Sequence, residues 1–292
     1  MARKYVRTTH RYVTTTQILN DNTTKAAFTC IRTCNINTTG AGACLFQLTG
    51  GASGNANYNA ASATGISCSW TVPSGVSSIV IEIWGGGGGG GAAPSGVCSE
   101  RASGGGGGAY AKKSLAVTAG SSYTICVGSG GNGGTPTSAS VCCCGLKGGT
   151  TYVTGTGLNN FCAEGGYGGE SRCGSMYYNI ISPNGGWPGS GGDINARGFD
   201  GGSVGGGNSD TYSGWTYGGG SPFGGRNSYM GHSCCNVQAD NSSQNGVRGG
   251  GIIGIIGLFP GGGGTGGIAS CLPASNCANG GQGAPGLVRI WM

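Results

Sequence analysis

Charged side chains are scarce in this chain. Nine Asp and Glu and 15 Lys and Arg make up 8% of 292 residues, and only two histidines accompany them. So few carboxylates and imidazoles offer few acid–base pairs, so an enzyme is not expected. Long hydrophobic runs are missing too. The longest, residues 252–259, is short and interrupted by glycine, so no membrane insertion is expected. The opening Met1-Ala-Arg-Lys-Tyr-Val-Arg-Thr-Thr-His has no apolar stretch behind its charges, and no secretory signal is expected. No dozen residues combine a 3.6-residue apolar period with freedom from glycine, proline and Thr/Asn clusters, which leaves essentially no helix.

Glycine is what the chain has in abundance. Of 70 glycines, seven lie in residues 1–84 and 63 follow. Collagen needs a strict Gly-X-Y repeat rich in proline, and nine prolines with unbroken runs at 85–91 and 104–108 exclude it. Composition alone leaves flexible-linker disorder as an equal reading. The recurrent GxGxxG strings are what such glycine density produces by chance, and no Lys-Ser/Thr follows them to make a phosphate loop.

Charge is also unevenly placed. Arg3, Lys4, Arg7, Arg11, Lys25 and Arg32 face Asp21 alone in residues 1–35, which accounts for +5 of the net +6. This stretch alternates with Thr and Val like an extended arm and lacks a basic face with interleaved aromatics, so docking on another protein is expected and nucleic-acid binding is not. Residues 1–68 form a Thr/Asn/Ala-rich first unit, with alternating runs at 4–16 and 27–37 that read as strands or extended segments. A unit this small needs staples or a partner. It is expected to attach the protein to an assembly, with Arg3, Lys4, Arg7 and Arg11 as the arm and Cys30, Cys34 and Cys44 as candidate staples.

A second unit, 69–292, opens with a proline-containing turn at 69–76 and a β-branched strand at 77–84. Further strands are expected at 109–117, at 121–127 after a turn at Ala119-Gly120, and at 149–154. The chain closes on an alternating strand at 286–291. The first and last of these are expected to pair. The fold class is therefore mainly β with irregular structure: framework strands at about 69–154 and 284–292, closed by the C-terminal strand, and glycine-rich segments and loops at about 155–283.

Fifteen cysteines point to an oxidising final environment, and without an export signal that combination fits release by lysis within a virus particle. Cys142-Cys143-Cys144 and Cys234-Cys235 lack the C-x₂-C spacing of a zinc site, although His232 beside Cys234 keeps a metal reading open. Disulfides are preferred, because adjacent cysteines in extended backbone point to opposite sides and can tie one segment to two neighbours. Cys271 and Cys277 are a local candidate pair, and the odd total leaves at least one thiol free or bonded between chains. No metal or cofactor is expected. Glu164 and Glu170, the nearest approach to a carboxylate dyad, read as solvated loop charges. Aromatic side chains gather between the glycine runs, at 175–188, 210–217 and 228–245. Loops on a rigid support suit Tyr and Trp to binding, and Tyr177, Tyr178, Trp187, Trp215, Tyr217 and Tyr229 are the candidates.

Several motifs carry a resemblance: Trp70-Thr71-Val72-Pro73-Ser74-Gly75-Val76, residues 79–91, Gly104-Gly105-Gly106-Gly107-Gly108-Ala109-Tyr110-Ala111, residues 121–134, and the closing Gly280-Gly281-Gln282-Gly283-Ala284-Pro285-Gly286-Leu287-Val288-Arg289-Ile290-Trp291. Over about three-quarters of its length the chain resembles the glycine-rich domains of bacteriophage tail-fibre and tip-adhesin proteins. The resemblance implies a framework sheet carrying a stack of polyglycine-II helices, left-handed with three residues per turn. It further implies a virion structural protein that binds a protein or polysaccharide receptor on the host surface, joined through residues 1–68 to other virion proteins. A capsid-decorating or fibre-connecting protein without a receptor role is the alternative.

Overall fold

The computed structural model describes residues 13–15, 30–34, 44–49, 66–93, 102–135, 144–171, 183–204, 213–233, 236–240, 254–267 and 278–292. These contain strands and no helix. They are β1 (Val13–Thr15), β2 (Cys30–Cys34), β3 (Cys44–Thr49), β4 (Ile66–Thr71), β5 (Ser78–Trp84), β6 (Tyr110–Ala116), β7 (Ser122–Val127), β8 (Thr151–Thr154), β9 (Phe161–Ala163), β10 (Ile194–Ala196), β11 (Gly202–Val204), β12 (Ser213–Gly218), β13 (Ser228–Ser233), β14 (Asn236–Asp240) and β15 (Leu287–Trp291).

One antiparallel sheet has the order β1-β2-β3-β15-β5-β6-β10 and a second the order β4-β7-β8-β9. The closing strand pairs with the opening framework strand as expected, Leu287 opposite Trp84 and Trp291 opposite Val80. On its other side β15 pairs with β3, so strands of the first 68 residues are built onto the framework sheet. The two sheets pack face to face. Ile79, Ile81 and Ile83 of β5 alternate inward with Val288 and Ile290 of β15, and meet Trp70, Tyr123, Ile125, Val153 and Phe161 of the second sheet. Burying aliphatic and aromatic side chains of this size is worth about 1.5–3 kcal/mol each, which makes this small core the base of the molecule.

From that base the strands continue directly as glycine rods. β5 runs on into residues 85–91, and their N–H groups reveal the geometry. Gly86, Gly87 and Gly88 donate to Gly149, Ala284 and Gly106, and Gly89, Gly90 and Gly91 repeat the order with Leu146, Gly281 and Ser103. The carbonyls of Gly86, Gly87 and Gly88 accept from Gly166, Gly131 and Gly264, and those of the next three from Gly169, Gly134 and Gly267. A partner that recurs every third residue identifies a threefold helix with no internal hydrogen bonds, bonded outward on all sides. This is the expected polyglycine-II lattice. Residues 102–109 form a second hub, whose N–H groups rotate among 261–267, 164–170 and 199–202.

The packing explains the sequence. A hub rod has neighbours on every side, and a Cβ built on Gly107 would fall inside the van der Waals envelope of the Gly220 carbonyl oxygen. Hence the unbroken glycine at 85–91 and 104–108. Rods on the perimeter keep one face for solvent and carry a side chain at every third position, as with Glu164, Tyr167 and Glu170 around the buried Gly165, Gly166 and Gly169.

Three expectations need correction. The lattice begins at residue 85, inside the stretch assigned to the framework, because strands and rods alternate along the chain. Trp70 and Thr71, read as part of a turn, lie in β4, where Trp70 is buried against Tyr123 with ring centroids 6.0 Å apart. The stretches 210–217 and 228–245, read as loops, contain β12, β13 and β14, which with β11 form a third antiparallel sheet. Its Thr216 is buried and donates through Oγ1 to Gly266 O at 3.1 Å, fixing that sheet to the rod 261–267.

Candidate functional site

Perimeter rods 145–149, 164–170, 183–190 and 197–202 lie side by side. Gly148 donates to Gly166 O, Tyr167 to Asn184 O, and Gly198 to Gly186 O. Each rod turns its third-position side chains outward, so Lys147, Glu164, Tyr167, Asn184, Trp187, Arg197 and Asp200 form one stripe across four rods. Lys147 Nζ pairs with Glu164 Oε1 and stands 4.1 Å from the centroid of the Tyr167 ring. The other oxygen of Glu164 accepts the Trp187 backbone N–H at 3.2 Å. Arg197 lies over the Trp187 ring with Cζ 5.1 Å from its centroid, and its Nη2 donates to Asp200 Oδ1 at 2.6 Å and Asn184 Oδ1 at 2.8 Å. Asp200 Oδ1 also accepts the Gly185 N–H at 2.8 Å.

Each of the two rings therefore carries a cation, and each cation has its carboxylate. Cation–ring contacts at exposed sites contribute about 0.5–1 kcal/mol, and their larger effect here is to hold the rings in place. Trp187 is still 51% exposed and Phe199, on the next rod, 57%.

Among the residues expected to bind, Trp187 is exposed, and it stands on a rod that is part of the lattice rather than in an insert. Tyr217 and Tyr229 are direct cross-strand partners in β12 and β13, and Trp215 is two residues along β12, opposite Gly231. Period-two alternation places all three at positions of one sheet face. Tyr177 and Tyr178 lie outside the described residues, as do Arg3, Lys4, Arg7 and Arg11. Lys147, Tyr167, Arg197 and Asp200 were missed as site residues. The signal available for them was the spacing of non-glycine residues by three.

Glu164 and Glu170 sit two turns apart on one rod, about 19 Å at 3.1 Å per residue, beyond the roughly 5–9.5 Å at which two carboxylates share a glycosidic bond. The disulfide expectation is corrected at Cys144. Cys144 is an exposed free thiol, and Cys126 and Cys162 are also unbridged. Cys144 follows a perimeter rod's outward register with Lys147, so it faces solvent rather than a neighbouring rod. Cys142, Cys143, Cys234, Cys235, Cys271 and Cys277 lie outside the described residues. No three His, Cys, Asp or Glu among the described residues are grouped to hold a metal ion.

A β base continued into a glycine lattice is the architecture of a glycine-rich domain. The chain belongs to the glycine-rich domain family, whose sequence model matches residues 61–292. No curated protein matches the chain at a significant level.

Proposed function

We propose that this protein is a virion structural protein of a bacteriophage, a tail-fibre or spike tip adhesin that binds a receptor on the host-cell surface. The observation that carries the reading is the exposed aromatic and charged stripe centred on Trp187. Its side chains project from rods that are hydrogen-bonded to their neighbours, so binding would cost little ordering of the protein. Binding rather than catalysis is favoured by the state of the carboxylates, since Glu164 and Asp200 are both engaged by cations and by backbone N–H groups. In this reading residues 1–68 join the protein to other virion proteins.

Antibody labelling of intact particles, imaged by electron microscopy, tests it. Label confined to fibre or spike tips is the expected result. Label spread over the capsid would overturn the adhesin reading and favour a decorating protein.

A further inference from the structure

We infer that the stripe formed by Tyr167, Trp187 and their ion pairs is a binding site for a neutral saccharide chain, an inference that rests on the adhesin reading and names the receptor's chemistry.

The charges on the stripe balance. Lys147 is matched by Glu164 and Arg197 by Asp200, so an anionic ligand would meet two carboxylates and a cationic ligand two cations. An uncharged ligand meets neither repulsion. The carboxylates retain lone pairs, and the guanidinium and ammonium retain N–H groups, so a ligand rich in hydroxyls can both donate and accept along the stripe without displacing either pair. Trp187 supplies what hydroxyl recognition lacks, a half-open aromatic surface on which the C–H face of a pyranose can stack.

The geometry suits a polymer. Outward positions on one rod recur every three residues, about 9 Å at a 3.1 Å rise, while neighbouring rods extend the same stripe sideways. The ring contacts Lys147–Tyr167 and Arg197–Trp187 repeat on neighbouring rods joined through Glu164, giving two like subsites side by side. A protein receptor is less well served. A protein–protein interface core is depleted of charge, and here the charged groups lie in the middle of the site and not at its rim.

The experiment is affinity electrophoresis of the full chain in native gels that contain dextran, mannan or galactan as neutral probes, or hyaluronate as an anionic one. At least one neutral polymer should retard the protein while hyaluronate does not, and Trp187→Ala should weaken the retardation at least tenfold. Trp187→Phe should recover part of it, and Ile194→Ser, an exposed substitution on β10, should leave it unchanged. Thermal unfolding of each variant separates lost binding from lost fold. Absence of retardation by every neutral polymer, retardation by hyaluronate alone, or equal retardation of folded Trp187→Ala would overturn the inference. If Trp187→Ala particles adsorb poorly to cells while no neutral polymer is bound, the saccharide inference fails and the adhesin reading survives with a protein receptor.

Discussion

Gly107 packs against the carbonyl of Gly220 so closely that no side chain fits between them, while its N–H donates to Phe199 O at 2.9 Å on a different rod. Backbone contacts of this kind at each glycine of 104–108 leave no room for a methyl group there. Gly107→Ala should destabilise the protein by more than about 4 kcal/mol or prevent folding, because backbone and not a movable side chain must give way. Glu170→Ala, at an exposed outward position of a perimeter rod, should change stability by no more than about 0.5 kcal/mol. Denaturant unfolding of the two variants measures the contrast. Similar losses would contradict the lattice geometry.

Tyr110, buried beside Trp84 with ring centroids 5.0 Å apart, donates its hydroxyl to Glu82 Oε1 at 2.9 Å. Burial first, then that bond and the carboxylate's charge, push its pKa well above the ordinary 10.0. The folded state thus keeps a proton that the unfolded state loses, so the stabilisation is complete below pH 10 and falls as pH rises above it. Tyr110→Phe should lower stability at neutral pH and flatten its decline between pH 10 and 12. Unfolding curves across that range check the prediction, and identical slopes would refute it.

The exposed thiol of Cys144 should react with a maleimide in the native protein, whereas the buried Cys126 should react only after unfolding. Peptide mass spectrometry before and after denaturation reads both. Recovery of Cys144 in a disulfide would show that the mature protein differs from this arrangement.

Residues 1–12 precede β1, and with them go Arg3, Lys4, Arg7 and Arg11. Deleting them should leave unfolding unchanged and reduce incorporation into particles, if that arm is the attachment element. Quantifying the truncated protein in purified particles decides it. Normal incorporation would move attachment elsewhere.

Much of the fold could be read in the sequence because glycine is so informative here. The runs 85–91 and 104–108 mark the hub rods, since only a rod enclosed on all sides excludes every Cβ. The alternation in β5 and β15 marked the strands that pair at the base. Trp187 was picked out, but its place was not, because Trp-Pro beside Asn-Gly-Gly reads as a loop until the period of three is followed across 184, 187 and 190. The sheet of β11–β14 was hidden for another reason. Ser and Gly alternate with Trp, Thr, Tyr and Met in β12 and β13, which gives these segments mixed strand propensity, and the pairing of Tyr217 with Tyr229 is a tertiary fact. Cysteine number pointed towards cross-links, yet the outward register of a perimeter rod decides that Cys144 faces water.

The most direct measurement is adsorption of particles carrying Trp187→Ala to host cells, compared with wild type at equal incorporation and equal thermal stability. The account predicts a loss of at least tenfold in the adsorption rate, because Trp187 is the exposed aromatic anchor of the stripe. Unchanged adsorption by such particles would contradict it.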